Sequence, residues 1–469
     1  MRALPGVVGD RLLTGWGRTA PTRATVWAPP TAAALPDHLA DVGERGALAR
    51  GLGRSYGDAA QNAGGHVVDM TTLASIEALD ADAGTVTCEA GTSLGSLMQL
   101  LIPLGWFPTV IPGTRFVTVG GALAADIHGK FRHGSFADFV ERATLITPAQ
   151  GPITIRPADD AFRATAGGMG LTGVVTDATL RLHRIESAWM LVDTQRCGDV
   201  DDCMARMLDS DDDYRYSVAW IDCMAKGTHL GRSVLERGSH APLDALDDRR
   251  RACSRRYATS RSISTPPWIP NGMLNRLTVR AFNELWFQKS PRRSHEALRS
   301  IPSFFHPLDG VAGWNRIYGS RGFVQYQFVV PYGSEQTIRV ALDRLSAAGT
   351  PSFLAVLKRF ETQNEGFLSF PLPGWTLALD VPTAASGLRE LLCGLDRLVA
   401  DAGGRVYLAK DSRLDHALLP DMYPRLEAWR EVQTSLDPKG TMQSDLDRRL
   451  GMRRARADMR STTPARGTP

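Results

Sequence analysis

The chain has 469 residues, 43% hydrophobic and 22% charged, with a formal net charge of +4. That length exceeds what one ordinary core serves, so two domains are expected; the small net charge excludes a dedicated nucleic-acid binder, which would gather basic side chains on one face. No apolar run reaches the roughly 18 residues of a membrane-spanning helix, and the opening MRALPGVVGDRLLTGWGRTAP lacks the apolar stretch of a secretory signal, so the expected location is cytoplasmic or peripheral at the cell envelope.

Residues 47–180 alternate glycine turns with short runs rich in Val, Ile and Thr. ALARGL, HVVDM, TVTCEAG, RATLITP, PITIRP and GVVTDATLRLH predict strands. SLGSLMQLLIPLG, GGALAADIHG and ADDAFRATAGG predict helices between them, an α+β pattern without a regular βαβ repeat. The composition shifts near residue 186. RYSVAWIDC, GFVQYQFVVP, FLAVLKRF and GWTLALDVP predict one antiparallel sheet. SEQTIRVALDRLSAAG and LRELLCGLDRLVADAGG follow the 3.6-residue period of helices that would cover one of its faces. The stretch 259–288 is weakly periodic and rich in Pro and aromatic residues, so it reads as a long loop, functional or mobile. RVYLAK reads as a last strand, followed by helical material. A substrate domain, 186–404, is therefore expected between residues 1–185 and a return over 405–452, with 453–469 a disordered basic tail. The six cysteines form no C-x-x-C and have no His cluster at zinc-ligand spacing, which predicts reduced, packed thiols and no metal.

Three glycine-rich segments stand out: GLGRSYGD at 51–58, PGTRFVTVGGALAADIHGK at 112–130 and GGMGLTGVVTDATLRLH at 167–183. In the first, the third glycine comes one residue late for a dinucleotide fingerprint. In the last, Gly168, Gly170 and Gly173 spell G-x-G-x-x-G, but the strand-like VVTDATLRLH that follows cannot supply the helix N-terminus that fingerprint needs. Taken in order, the three segments resemble the FAD-binding domain of the vanillyl-alcohol oxidase (PCMH-type) flavoprotein superfamily. Glycines there let backbone N–H groups close around a pyrophosphate. LTGWGRTAP, GWNRIYG, GFVQYQFVVP, LSFPLPGW and YLAKDSR extend the resemblance over about residues 12–450. Over that span the chain is similar to the flavoprotein oxidase subunits of the actinobacterial decaprenylphosphoryl-β-D-ribose 2'-epimerases.

The resemblance implies a two-domain α+β fold with an inserted substrate domain, and FAD as cofactor. Ala49, Arg50, Gly51, Leu52, Gly53, Arg54, Ser55, Tyr56, Gly57, Asp58 and Ala59, with Gly113, would hold pyrophosphate and ribityl. Thr118, Val119, Gly120, Gly121, Ala125, Asp126, Ile127, His128, Val175 and Tyr407 would flank adenine or isoalloxazine. Arg54 stands where some superfamily members carry the histidine that bonds FAD covalently, so non-covalent FAD is expected. Lys410 and His128 are the catalytic candidates. Lys410 ends an apparent strand, with Asp411 and Ser412 as helix caps. It would either stabilise negative charge on the reduced flavin or, with a depressed pKa, accept the hydroxyl proton.

Gln325 and Gln327 alternate along a strand and so share a face. Sugar hydroxyls or the flavin edge would supply the partners that such interior amides need. Tyr326 points the other way, into packing. Trp220 and Lys358 complete the substrate candidates, Lys358 for the phosphate or as a solvated strand end. Thr376 and Ala378 occupy positions where the family commonly carries Asn and Cys. Ala378 has no thiol to form the adduct that suicide nitroaromatic inhibitors make. The implied reaction is oxidation of a polyprenyl-phosphoryl ribose at C2, completed by an NADH-dependent keto-reductase partner, with a membrane contact suggested by Pro266, Pro267, Trp268 and Ile269. A small-sugar or alditol oxidase using oxygen, or a scaffold acting only through its reductase, are the alternatives.

Overall fold

The computed structural model describes residues 6, 8–258, 263–266 and 268–454. Pro267 and residues 455–469, which include most of the expected basic tail, lie outside the described residues.

Two sheets form the N-terminal part. The first runs Val8–Leu13, Thr22–Trp27, His66–Asp69, Ala47–Arg50 in spatial order, and the last three strands are parallel. The second is antiparallel, in the order Ile76–Asp80, Thr85–Glu89, Val174–Arg184, Val140–Thr147, Gly151–Ile155. The short strand Trp106–Pro108 pairs with the far end of Val174–Arg184. GLGRSYGD leaves Ala47–Arg50 as a loop and leads to His66–Asp69, a strand. The G-x-G-x-x-G at 168–173 runs directly into Val174–Arg184, so no helix starts there.

The third sheet has eight antiparallel strands: Arg293–Ser300, Trp189–Cys197, Ser233–His240, Tyr216–Ile221, Ala355–Phe360, Gly374–Pro382, Phe323–Pro331 and Arg405–Val406. Helices Val200–Ser210, Glu335–Ala347 and Leu388–Asp401 cover one face. Met207, Ile338, Leu342 and Leu395 there are wholly removed from water. Burying side chains of this size contributes about 1.5–3 kcal/mol each. The other face looks toward the glycine loops. After residue 406 the chain returns to the N-terminal part. Trp429 donates to the Ala164 carbonyl at 2.9 Å, and the amide of Gln443 donates to the Ala47 carbonyl at 2.9 Å.

Two expected elements differ. The stretch 259–288 contains a helix, Arg276–Lys289, whose Asn275 cap accepts from the Leu277 and Thr278 amides. Its apolar residues are spread around the helix, which hid the period. RVYLAK is a strand only at Arg405–Val406. Residues 407–410 turn, with the Lys410 amide donating to the Tyr407 carbonyl at 2.9 Å. Asp411 and Ser412 cap no helix: Asp411 Oδ1 accepts from the Arg413 and Leu414 amides, closing a loop. Cys88, Cys197, Cys203 and Cys223 are buried free thiols, Cys393 is half-buried and Cys253 exposed.

Candidate active site

A cavity of about 570 Å³ lies between the glycine loops and the open face of the eight-stranded sheet. Four strands of the sheet line it with alternate residues: Val234 and Glu236, Val218 and Trp220, Val356 and Lys358, and, beyond the strand that carries Ala378, Gln325 and Gln327. The period of two that places Gln325 and Gln327 together acts in every one of them.

On the opposite wall Ala49, Gly51, Leu52, Gly53, Arg54, Ser55, Tyr56, Gly113, Thr118, Gly120, Gly121 and Val175 present loop backbone and small side chains. A methyl at Gly51 would sit 2.1 Å from Thr118 Oγ1, so the two glycine segments meet as closely as they do only without a side chain. Arg50 also touches the cavity, but its guanidinium donates to the carbonyls of Ala60 at 2.6 Å and Thr14 at 2.8 Å. It fastens the loop. Arg54 stacks over Trp16 at 3.9 Å and Phe116 at 5.1 Å, and its buried Nε has no partner.

His128 is buried, with its ring about 5 Å from those of Phe360, Phe370 and Tyr407. Burial, then the charges of Lys358 and Lys410, hold its pKa well below the ordinary value, so the ring is neutral. Gln327 Nε2 lies 2.8 Å from His128 Nε2 and donates to Thr376 Oγ1 at 3.2 Å. With Nε2 accepting from the amide, the imidazole proton sits on Nδ1, a buried atom without a partner. Tyr407 is fixed by its hydroxyl, which donates to the Ala125 carbonyl at 2.6 Å.

Lys410 places its ammonium 3.8 Å from the centre of the Tyr56 ring. Burial and the charge of Lys358 lower its pKa, while Asp380 pulls it up. Asp380 is itself raised by burial. It accepts from Gln325 Nε2 at 2.5 Å and from the Tyr318 hydroxyl at 3.4 Å. Lys358 is a cavity residue and not a solvated strand end: its Nζ donates to the Gly129 carbonyl at 3.0 Å, and burial, with Lys130 nearby, lowers it to about 8. Lys130 is likewise lowered to about 8, and donates to the Phe304 carbonyl at 2.5 Å with Glu236 at 3.9 Å.

Ala59, Ala125, Ile127, His128, Trp220, Ala378, Tyr407 and Lys410 also line the cavity. Trp220 spends its indole N–H on the Phe353 carbonyl at 3.0 Å. Gln325 and Gln327 have protein partners, Asp380 for the first, His128 and Thr376 for the second, where sugar or flavin was expected. Five expected contacts lie outside the cavity. Gly57 packs against the Asp411 backbone. Asp58 pairs with Arg449 at 2.8 Å. Val119 faces the core. Asp126 accepts from Asn364 at 2.7 Å and Ser369 at 2.9 Å, and burial raises it to about 6. Thr376 is buried beneath Gln327.

Sequence reasoning missed Lys130, Glu236, Asp380 and Trp16. Asp380 had a visible signal, a carboxylate near the end of the otherwise apolar GWTLALDVP; only the register, which sets it opposite Gln325, gives it a role. Among the described residues no cluster suits a metal ion. The donors do suit a flavin nucleotide: paired glycine segments free of side chains, and two buried nitrogens, His128 Nδ1 and Arg54 Nε, without protein partners.

A glycine-walled cavity against an antiparallel sheet, with buried lysines between, defines an FAD-dependent oxidoreductase of the PCMH type. Residues 24–155 match the FAD binding domain family. Decaprenylphosphoryl-β-D-ribose oxidase of Mycolicibacterium smegmatis is 42% identical over 93% of this chain and 97% of its own length. L-gulono-1,4-lactone dehydrogenase of Mycobacterium tuberculosis is 22% identical over 90% of this chain and 94% of its own. Cytokinin dehydrogenase 3 of Oryza sativa subsp. japonica is 33% identical over 29% of this chain and 27% of its own. The chain belongs to the decaprenylphosphoryl-β-D-ribose oxidase family.

Proposed function

We propose that this enzyme oxidises the C2 hydroxyl of a polyprenyl-phosphoryl-β-D-ribose to the 2-keto sugar, and that a separate NADH-dependent reductase completes the epimerisation. The observation that carries the reading is Lys410: a buried amine of lowered pKa, beside Asp380, on the same cavity as the glycine loops. Neutral Lys410 takes the hydroxyl proton as the C2 hydrogen departs with its electron pair. Bound FAD supplies the acceptor for that hydride. Asp380 then stabilises the lysinium formed. His128, neutral, donates through Nδ1 to whichever acceptor fills the cavity beside it. Lys358 and Lys130 supply positive charge for the phosphate. Incubation with farnesyl-phosphoryl-ribose is expected to yield a product lighter by two hydrogens, whereas turnover of xylitol or gulonolactone with peroxide release would favour the small-sugar reading.

Two expectations accompany the proposal. The flavin is held without a covalent bond, since Arg54 cannot supply one, so acid precipitation should leave a colourless pellet and a yellow supernatant. A yellow pellet contradicts this. Second, because the neutral amine is the base, flavin reduction should speed up as pH rises through the Lys410 pKa. Asp380 raises that pKa and Lys358 lowers it. The rising limb should therefore move to lower pH in Asp380→Asn and to higher pH in Lys358→Met. Stopped-flow rates against pH read both shifts, and a limb fixed in both variants removes Lys410 as the base.

A further inference from the structure

Helix Arg276–Lys289 breaks the rule that an amphipathic helix turns its apolar side inward. Only Val279 and Asn283 are buried. Leu277 is 81% exposed and Leu285 70%, a little over two turns apart on the helix. Phe282 and Trp286 are each 42% exposed, yet both line the cavity, so this helix forms part of its mouth. Pro307 and Leu308 also line the cavity, just before the strand Val311–Ala312. That strand pairs in parallel with Ile263–Ser264, and Ile263 is 77% exposed. Trp268, between the strand and the helix in sequence, is 76% exposed. Exposed apolar side chains gathered in this way mark a surface that is covered in use.

Charge and the chemistry of the substrate choose the cover. Residues 263–293 contain five basic side chains and one acidic one, Glu284, which is already paired with Arg232. Leu and Trp beside Lys and Arg on one helix is the composition of helices that lie in the headgroup region of anionic bilayers. A long polyprenyl chain is more stable in lipid hydrocarbon than in water. If the substrate is the one proposed above, that chain stays in lipid while the ribose enters.

We infer that helix Arg276–Lys289 and the strand pair Ile263–Ser264 with Val311–Ala312 dock on an anionic lipid bilayer and set the cavity mouth against it. The test uses the FAD-loaded enzyme and sedimentation with vesicles of phosphatidylglycerol and phosphatidylcholine, against phosphatidylcholine alone. The wild type should bind the anionic vesicles and bind neutral ones more weakly. Leu277→Glu combined with Leu285→Glu should bind at least tenfold more weakly, with FAD content, melting temperature and flavin reduction by farnesyl-phosphoryl-ribose unchanged. A wild type that stays in the supernatant, or a double variant that binds as tightly, overturns the inference. So does a double variant that splits a wild-type dimer in sedimentation velocity without changing vesicle binding, because the face would then belong to a second copy. Wild-type vesicle binding lost in the double variant, with no flavin reduction by the ribose substrate in either, supports the docking face and rejects the substrate reading, so the two failures are separable.

Discussion

Lys410→Ala is expected to slow substrate-driven flavin reduction by on the order of 10²- to 10⁴-fold, the range that a positioned acid or base contributes, while FAD remains bound. That range corresponds to about 3–5 kcal/mol of barrier. The side chain projects into the cavity from the turn at 407–410, with its ammonium against the Tyr56 ring. The amine meets the glycine loop at the Tyr56 ring and not at the loop backbone, so its loss should leave the cofactor cradle intact. Lys410→Met keeps the aliphatic stem over Tyr56 and removes only the amine, so it separates packing from proton transfer. Both variants should carry full FAD and stay yellow with substrate under anaerobic conditions. Rapid bleaching of Lys410→Met would show that some other group takes the proton.

Gly57→Ala should cost the enzyme its cofactor although Gly57 touches no part of the cavity. A methyl there would lie 1.8 Å from the Asp411 carbonyl oxygen and 2.9 Å from Ser412 Cβ. Asp411 cannot move freely: its amide is bonded to the Tyr407 carbonyl at 3.1 Å, and its carboxylate is 2.8 Å from Arg449. The first glycine loop must therefore separate from the turn that carries Lys410. Strain of this kind costs about 1–3 kcal/mol. The expected result is at least tenfold weaker FAD binding and a lower melting temperature, read by flavin fluorescence on dilution and by thermal unfolding. Wild-type affinity and melting temperature would mean that the contact between loop and turn does not hold the cradle.

The glycine segments were legible in the sequence because backbone approach leaves a direct trace in composition. Gly51 against Thr118 and Gly57 against Asp411 are the contacts that the trace records. The glutamine pair was legible too, since alternation alone puts Gln325 and Gln327 on one face. Their partners were not: cross-strand register sets Asp380 opposite Gln325, and the fold brings His128 and Thr376 to Gln327. Strands Trp189–Cys197 and Ser233–His240 escaped notice because polar residues stand on both faces. One face of Ser233–His240 lines the cavity, so Glu236 takes a place that an ordinary core would give to an apolar residue. Helix Arg276–Lys289 was hidden because its apolar residues lie all round it, some of them facing outward. Lys410 came from family resemblance; its local setting was misjudged, since it lies in a turn and not at a strand end.

The most direct test of the account is an anaerobic titration of the FAD-loaded enzyme with farnesyl-phosphoryl-β-D-ribose, followed by flavin absorbance. The account predicts full bleaching, and its loss in Lys410→Met. A flavin that stays oxidised with this substrate but bleaches with xylitol or gulonolactone would contradict it.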